Sequence, residues 1–201
     1  MTPATATPAT YGRDAAIAQF SVARYQKMIE TGILTAADKV ELLENYVVLK
    51  MPRNPLHDSS VQRLLRPVLR VLPSAWDVRI QSAVTLPDSQ PEPDLALVRG
   101  SATDYETRQP GPADIGQLTE VADSSLLRDQ RDKTRIYARA NIAMYWIINL
   151  VDERVEVYSQ PSGPTAVPAY GASRVYQRGD AIPLVLDGHT VATLAASDLL
   201  P

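Results

Sequence analysis

The chain has 201 residues, 45% of them hydrophobic and 21% charged, which is enough for one globular domain with a full core. Its formal net charge of −3 argues against a dedicated DNA-binding domain, and the absence of cysteine excludes disulfides, iron–sulfur clusters and cysteine-rich zinc sites. No apolar run approaches the roughly 20 residues that span a bilayer, and residues 1–10 lack a signal-peptide pattern, so we expect a cytoplasmic protein without membrane contact.

The N-terminal part predicts a tail and a hairpin. Residues 1–18 are rich in Thr, Ala and Pro, so we expect a flexible tail followed by a single domain over residues 19–201. Two apolar tetrads, residues 40–43 and 46–49, predict a hairpin that turns at Glu44 and the Asn after it, because Asn tolerates positive φ.

A long helix and a strand are predicted next. Apolar residues at helical spacing predict a helix that begins at Asp58 or Ser59. His57 precedes it and suits a ligand, a base or a polar cap, of which the cap is the commonest. Alternation over residues 76–86 predicts a strand with one polar face, which carries Gln81.

The stretch from Gln90 to Lys133 holds the densest group of candidate site residues. Asp94 directly precedes an apolar strand, and Glu120 lies inside a second apolar run, where a carboxylate is costly unless a cation or metal pairs with it. The helix that follows carries Lys133. Two carboxylates beside a cation suit a hard divalent metal and a phosphate-attacking water.

These residues also have structural interpretations. Asp94 follows a proline and suits a turn cap, and Lys133 is spaced to pair with Asp129 one helical turn earlier. Glu44 at a hairpin turn is ordinarily solvated. Residue types and spacing leave both interpretations open.

The remaining elements complete a mixed α/β pattern. A helix over residues 126–140 precedes an apolar strand at residues 144–150, and further strand fragments follow to residue 194. The central order is helix, three strands, helix, strand, with an additional hairpin at each end. This order predicts two helices that cover a mixed sheet.

Several short motifs occur together in one order along residues 20–195. They are Glu-Leu-Leu-Glu44, His57, Arg79-Ile-Gln81, Pro91-Glu-Pro-Asp94, Glu120-Val121, Asp123-Ser-Ser, Asp129 with Lys133 and Tyr137, and Tyr145-Trp146. In this combination the chain resembles the Uma-two family of restriction-endonuclease-like proteins, within the PD-(D/E)xK nuclease superfamily.

The resemblance implies a fold and a metal site. The fold would be a restriction-endonuclease-like αβββαβ core with added N- and C-terminal hairpins. Asp94, Glu120 and the Val121 carbonyl would bind Mg²⁺, with Mn²⁺ as a substitute. Glu44 would be the additional acidic ligand that many superfamily members contribute from their N-terminal part.

The resemblance also implies how the lysine of the motif is supplied. A conventional motif has Lys at position 122, where this chain has Ala122. Lys133 matches superfamily members whose lysine has moved to the following helix, and it would act with Asp94 and Glu120 in catalysis. His57 and Gln81 would support the site.

The function expected from this resemblance is Mg²⁺-dependent endonucleolytic cleavage of DNA. Candidate phosphate contacts are Arg63, Arg66, Arg128, Arg131 and Arg135. Ala122 and the acidic net charge favour an alternative, a catalytically inactive nuclease-fold module that binds DNA or another protein. A metal-dependent hydrolase of small phosphoesters is a third alternative, and the oligomeric state is open, with a homodimer as one option.

Overall fold

The computed structural model describes residues 17–201, so residues 1–16 of the predicted tail lie outside the described residues. Its helices are α1 (Val22–Glu30), α2 (Pro55–Val71), α3 (Leu126–Arg128), α4 (Thr134–Arg139) and α5 (Ala196–Leu199), and a π-helical segment, Asp129–Lys133, joins α3 to α4. Its strands are β1 (Val40–Leu43), β2 (Tyr46–Leu49), β3 (Trp76–Ile80), β4 (Leu95–Arg99), β5 (Ile115–Ala122), β6 (Met144–Asn149), β7 (Arg154–Pro161), β8 (Tyr170–Tyr176), β9 (Ala181–Leu186) and β10 (His189–Ala195). None of the described helices has the length and hydropathy that crossing a membrane requires.

Six strands form one mixed sheet in the order β3-β4-β5-β6-β7-β8. Only β5 and β6 are parallel, and α3, the π-helical segment and α4 connect them. Strands β1 and β2 form one separate hairpin, and β9 and β10 form another. The predicted mixed α/β class, with its helix, three strands, helix, strand order and a hairpin at each end, is therefore confirmed.

The two faces of the sheet carry separate apolar clusters, because successive side chains of a strand point to opposite faces. Val121 of β5 packs with α2, α5 and the β9–β10 hairpin. Leu118 packs on the other face with α4 and the β1–β2 hairpin. Glu120 is two residues beyond Leu118, so it lies on the α4 face.

Helix α2 begins earlier than the sequence predicts. Asn54 is its N-cap, and its side-chain oxygen accepts the His57 N–H at 2.9 Å. Pro55 occupies the first helical position, where a missing N–H costs nothing. His57 therefore lies in the first turn, and its backbone N–H takes part in the N-terminal cap. Its ring does not cap the helix and is buried beside the start of β4, where it contacts Asp94.

The strand predicted over residues 76–86 ends at Ile80. Gln81 has a φ of +48°, a left-handed conformation that turns the chain out of the strand. The following segment crosses the α4 face of the sheet, where Val84 and Leu86 join the apolar cluster. This crossing places the Gln81 side chain beside Asp94.

The helix predicted over residues 126–140 is widened in its middle. The Thr134 N–H reaches back five residues to the Asp129 carbonyl, the hydrogen-bond pattern of a π-helix. The Thr134 hydroxyl and the Tyr145 hydroxyl also donate to that carbonyl, at 2.9 and 3.2 Å. Asp129 and Lys133 are both buried in this segment.

Candidate active site

A cavity of about 70 Å³ lies between the N-terminus of α2, the β1–β2 hairpin and the π-helical segment. Five of its charged side chains come from residues that are at most 6% exposed. They are Glu41, Asp94, Glu120, Asp129 and Lys133. Such a buried concentration of charge is costly to fold and is typical of functional sites.

Asp94 is held by three donors on three different elements. Its Oδ2 accepts the Val121 N–H at 2.9 Å and lies 3.1 Å from His57 Nε2, and its Oδ1 accepts the Gln81 amide at 3.3 Å. Burial acts to raise the pKa of Asp94, but the His57 ring and the two N–H donors bring the pKa below its usual value. The carboxylate is therefore ionised and fixed in orientation. Burial acts to lower the pKa of His57, yet the contact with Asp94 raises it overall.

The Val121 backbone is available to a ligand because the β4–β5 ladder stops short of it. The ladder pairs Leu95 with Thr119, so continuation of the register sets Val121 opposite Pro93. Residues of a hydrogen-bonded antiparallel pair exchange both of their backbone bonds, but Pro93 has no N–H to give. Asp94 accepts the Val121 N–H instead, and the Val121 carbonyl on the same side has no ladder donor.

Glu120 and Lys133 form the buried ion pair of the cavity. Lys133 Nζ donates to Glu120 Oε1 at 3.0 Å and to Glu41 Oε2 at 3.2 Å, and the Tyr137 hydroxyl donates to the same Glu120 oxygen at 2.7 Å. Burial, opposed by Lys133 and reinforced by Asp129 and Asp94, raises the pKa of Glu120 well above its usual range. Burial acts in the opposite direction on Lys133, but the surrounding carboxylates raise its pKa above the usual value.

Two sequence-based interpretations of this region are corrected by the geometry. Lys133 forms its ion pairs with Glu120 and Glu41, and Asp129 instead accepts a hydrogen bond from the Ser125 hydroxyl at 2.6 Å. Burial, opposed by Lys133, raises the pKa of Asp129 to about 6. Asp129 lines the cavity and acts on Lys133 through its charge, but the direct ion pairs of Lys133 are those with Glu41 and Glu120.

The acidic residue that the N-terminal hairpin brings to the cavity is Glu41, not Glu44. Glu44 lies at the hairpin turn with a φ of +50°, and its carboxylate pairs with Arg135 and Arg139 outside the cavity. Hydrogen bonds from Arg135, opposed by burial, keep the pKa of Glu44 below its usual value. Glu41 shares a strand face with Leu43 and is therefore directed inward. A carboxylate inside an apolar strand, the signal that indicated Glu120, was also present at Glu41.

The donors around the cavity fit a small divalent cation. No group of three or more His, Asp and Glu side chains in residues 17–201 is arranged to hold a metal by itself. Mg²⁺ keeps several waters and is commonly bound through one or two carboxylates, which Asp94 and Glu120 supply. Glu120 Oε2 makes no hydrogen bond within the described chain, since both of its donors bind Oε1. Four buried carboxylates, those of Glu41, Asp94, Glu120 and Asp129, also line the cavity beside a single buried lysine, Lys133.

Comparison with known proteins identifies a structure with a similar fold and a family whose sequences match. A solved structure described as a "putative nuclease belonging to DUF820 from Anabaena variabilis ATCC 29413" superposes with a TM-score of 0.67. The superposition covers 90% of this chain and 97% of that chain at 15% identity, so it establishes a shared fold. No curated protein matches the chain. The Uma2 (Uma-two) family, described as "Putative restriction endonuclease", matches residues 22–195, and the chain therefore belongs to that family.

Proposed function

We propose that this protein is a Mg²⁺-dependent nuclease that hydrolyses phosphodiester bonds of DNA, with Mn²⁺ as a substitute metal. The observation that carries the proposal is Lys133, which reaches from its helix into a cavity lined by Asp94 and bonds Glu120 there. Lys133 would thus supply the cation that a lysine at position 122 supplies in the conventional motif, where this chain has Ala122. The descriptions of the Uma2 family and of the structural neighbour, a nuclease in both cases, support the same activity.

Three groups of this chain would hold the metal: the Asp94 and Glu120 carboxylates and the Val121 carbonyl. A bound Mg²⁺ supplies Lewis acidity to the scissile phosphate and acidifies a water. His57 and Gln81 hold Asp94 in one orientation, and Tyr137 and Lys133 do the same for Glu120. Such supporting contacts tune ligand orientation and basicity.

Lys133 would stabilise the attacking water and the charge that develops on phosphate. An ammonium group has three N–H donors, and Glu120 and Glu41 occupy two of them. The third is available for an oxygen of water or phosphate. Burial makes this donor stronger than it would be in water. Glu41 would act as a positioning residue, because its contact with Lys133 fixes the direction of the ammonium group.

Ala122 is the observation that favours the second candidate, a nuclease-fold protein that binds DNA without cutting it. Hydrolysis of small phosphoesters is the third. The three functions differ in what the protein does to a polymer. Only the first one breaks the DNA backbone in a metal-dependent way.

One assay separates these candidates. Purified protein is incubated with supercoiled plasmid and, separately, with bis(p-nitrophenyl) phosphate, in Mg²⁺, Mn²⁺ or EDTA. We expect nicked or linear plasmid in both metals, none in EDTA, and slow turnover of the small diester. Plasmid that is bound but intact in both metals would favour the inactive module. Faster turnover of the small diester than of plasmid would favour the phosphoesterase.

A further inference from the structure

A groove of about 330 Å³ continues the candidate active-site cavity on the side of the π-helical segment. The cavity and this adjoining groove share four lining residues, so they form one depression; the four are Met51, Ser124, Ser125 and Arg128. Beyond them the adjoining groove is lined by Leu127, Arg131 and Asp132. A ligand that extends out of the cavity in this direction therefore passes Arg128 first and Arg131 next.

Both of these arginines have donors available in the adjoining groove. The Arg128 guanidinium donates from Nη1 to the Leu49 carbonyl at 2.9 Å, and neither arginine has a carboxylate within 4.0 Å among residues 17–201. Asp132, the acidic residue of this lining, pairs with Arg135 at 3.3 Å instead. Because a guanidinium group has five N–H donors, most of the donors on Arg128 and Arg131 remain for an anion.

A third arginine lines the cavity from the α2 side. Arg53 directly precedes the N-cap of α2, and its Nη1 donates to Gln81 Oε1 at 2.5 Å. The Gln81 amide in turn donates to Asp94 Oδ1 at 3.3 Å. Two hydrogen bonds therefore connect the exposed Arg53 guanidinium to a proposed metal ligand. An anion bound by Arg53 lies next to the cavity for this reason.

Position distinguishes these three arginines from others that also lack a carboxylate partner in the described chain. Three of the others lie over aromatic rings, namely Arg24, Arg79 and Arg174. Another three line a separate groove, namely Arg63, Arg66 and Arg70 of α2. Their spacing places them on the helix face opposite the buried residues His57, Val61, Leu64 and Val68. They therefore point away from the cavity, although Arg63 and Arg66 were expected to contact phosphate.

We propose that Arg53, Arg128 and Arg131 bind the phosphates that flank the scissile one in duplex DNA. We call these three residues the arginine track. This inference rests on the proposed function and specifies how the polymer outside the cavity is held. Each DNA strand carries one phosphate per 3.4 Å of helix axis, so a strand with one phosphate in the cavity brings its neighbours to the cavity wall and the adjoining groove. The exposed Ser124 hydroxyl adds a further common phosphate donor there.

Binding to a fluorescein-labelled 24-base-pair duplex, followed by anisotropy in EDTA, tests the inference without cleavage. The track variant combines Arg53→Gln, Arg128→Gln and Arg131→Gln. We expect its Kd to rise about tenfold or more, and the slope of log K against log salt to fall by about 2 to 3, near 0.9 for each lost phosphate contact. The matched control combines Arg63→Gln, Arg66→Gln and Arg70→Gln, which remove the same charge from the face of α2 that points away from the cavity.

A single variant covers the case in which the triple variant fails to fold. Arg131→Gln changes an exposed side chain that forms no hydrogen bond with residues 17–201. It should lower the salt slope by about 1. Thermal melts of all three variants verify that they fold.

The outcomes separate this inference from the proposed function. A track variant that binds with the affinity and salt slope of the parent overturns the inference, as does a control that weakens binding equally. Parent protein that binds the duplex through the track but fails to cut plasmid in Mg²⁺ overturns the proposed function alone. Parent that binds no duplex overturns both.

Discussion

Two glutamates, Glu120 and Glu156, are buried on the same face of the sheet but differ in their hydrogen-bond partners. Glu120 of β5 and Glu156 of β7 both lie opposite Ile147 of the intervening strand β6, so the three side chains point to one face. Both glutamates are at most 5% exposed. Their surroundings nevertheless shift their pKa values in opposite directions.

Glu156 is saturated with donors. Its two oxygens accept hydrogen bonds from the side chains of Gln130, Asn149, Arg154 and Tyr158. Burial acts to raise the pKa of Glu156, but these hydrogen bonds bring it below the usual value. A buried carboxylate of this kind contributes to the structure because every lone pair has a partner.

Glu120 has donors on one oxygen only and lies among other carboxylates. Burial is the main cause of its raised pKa, and the charges of Asp129 and Asp94 add to it although Lys133 opposes it. The ionised form of Glu120 is therefore costly in the folded protein, and a bound cation would stabilise it. Under the proposed function, Glu156 would stabilise the sheet and Glu120 would bind the metal.

The largest expected effect is on cleavage. Glu120→Gln removes a proposed metal ligand without changing side-chain size, so we expect the rate of plasmid cleavage to fall by about 10²- to 10³-fold or more. Glu156→Gln is the matched control and should cut near the parental rate. Initial rates in Mg²⁺ measure both. Equal rates for the two variants would remove the functional distinction between the glutamates.

The second effect is on stability at the ion pair. Lys133→Ala leaves Glu120 and Glu41 without their shared cation, and we expect the free energy of unfolding at pH 8 to fall by about 3–5 kcal/mol, together with loss of cleavage. Burial raises the pKa of Glu120 above its unfolded value, and removal of the lysine takes away the charge that opposes this shift. The deficit should therefore shrink as pH falls and Glu120 takes up a proton.

Urea titrations at several pH values measure the deficit, and Lys133→Arg supplies the control. Arginine keeps the charge but not the compact ammonium group. We expect it to recover part of the stability and little of the cleavage. A Lys133→Ala protein as stable and as active as the parent would show that the pair has no role.

The third effect is smaller and concerns the saturated carboxylate. Glu156→Gln replaces one acceptor oxygen by an amide N–H₂ that faces groups which are themselves donors. We expect the free energy of unfolding at pH 7 to fall by about 1–3 kcal/mol. The lowered pKa of Glu156 means that its contribution is present above the unfolded value of about 4.3 and is lost as pH falls through the folded value. The parent and the variant should therefore converge in urea titrations as pH falls progressively below the unfolded value. A difference that persists in acid would assign the loss to packing.

The smallest effect is expected at the hairpin. Glu44→Gln weakens partly exposed ion pairs with Arg135 and Arg139, so we expect a loss of about 1 kcal/mol or less and unchanged cleavage. Glu41→Gln, three residues away, should lower the cleavage rate because it disturbs Lys133. Cleavage that depends on Glu44 and not on Glu41 would contradict the assignment drawn from the geometry.

The sequence by itself determined the elements and singled out the costly residues. Period-two and period-3.6 patterns follow from local backbone geometry, which explains why the hairpins, the mixed sheet and the order of helices were predictable. Glu120 was identifiable because a carboxylate inside an apolar run needs a partner. The helical pattern over residues 126–140 placed Lys133 on a helix, and the family resemblance directed it toward Glu120.

Only the tertiary structure decided which residues meet. Lys133 and Glu41 are 92 positions apart, and His57 and Asp94 are 37 apart, distances at which no periodic pattern operates. The choice of Glu41 over Glu44 depends on which side of a hairpin faces the sheet. The pairing of Lys133 with Glu120 and Glu41 depends on which side chains β5 and the β1–β2 hairpin bring to the π-helical segment. These outcomes are set by packing of elements against one another, because each element's local sequence is compatible with either partner.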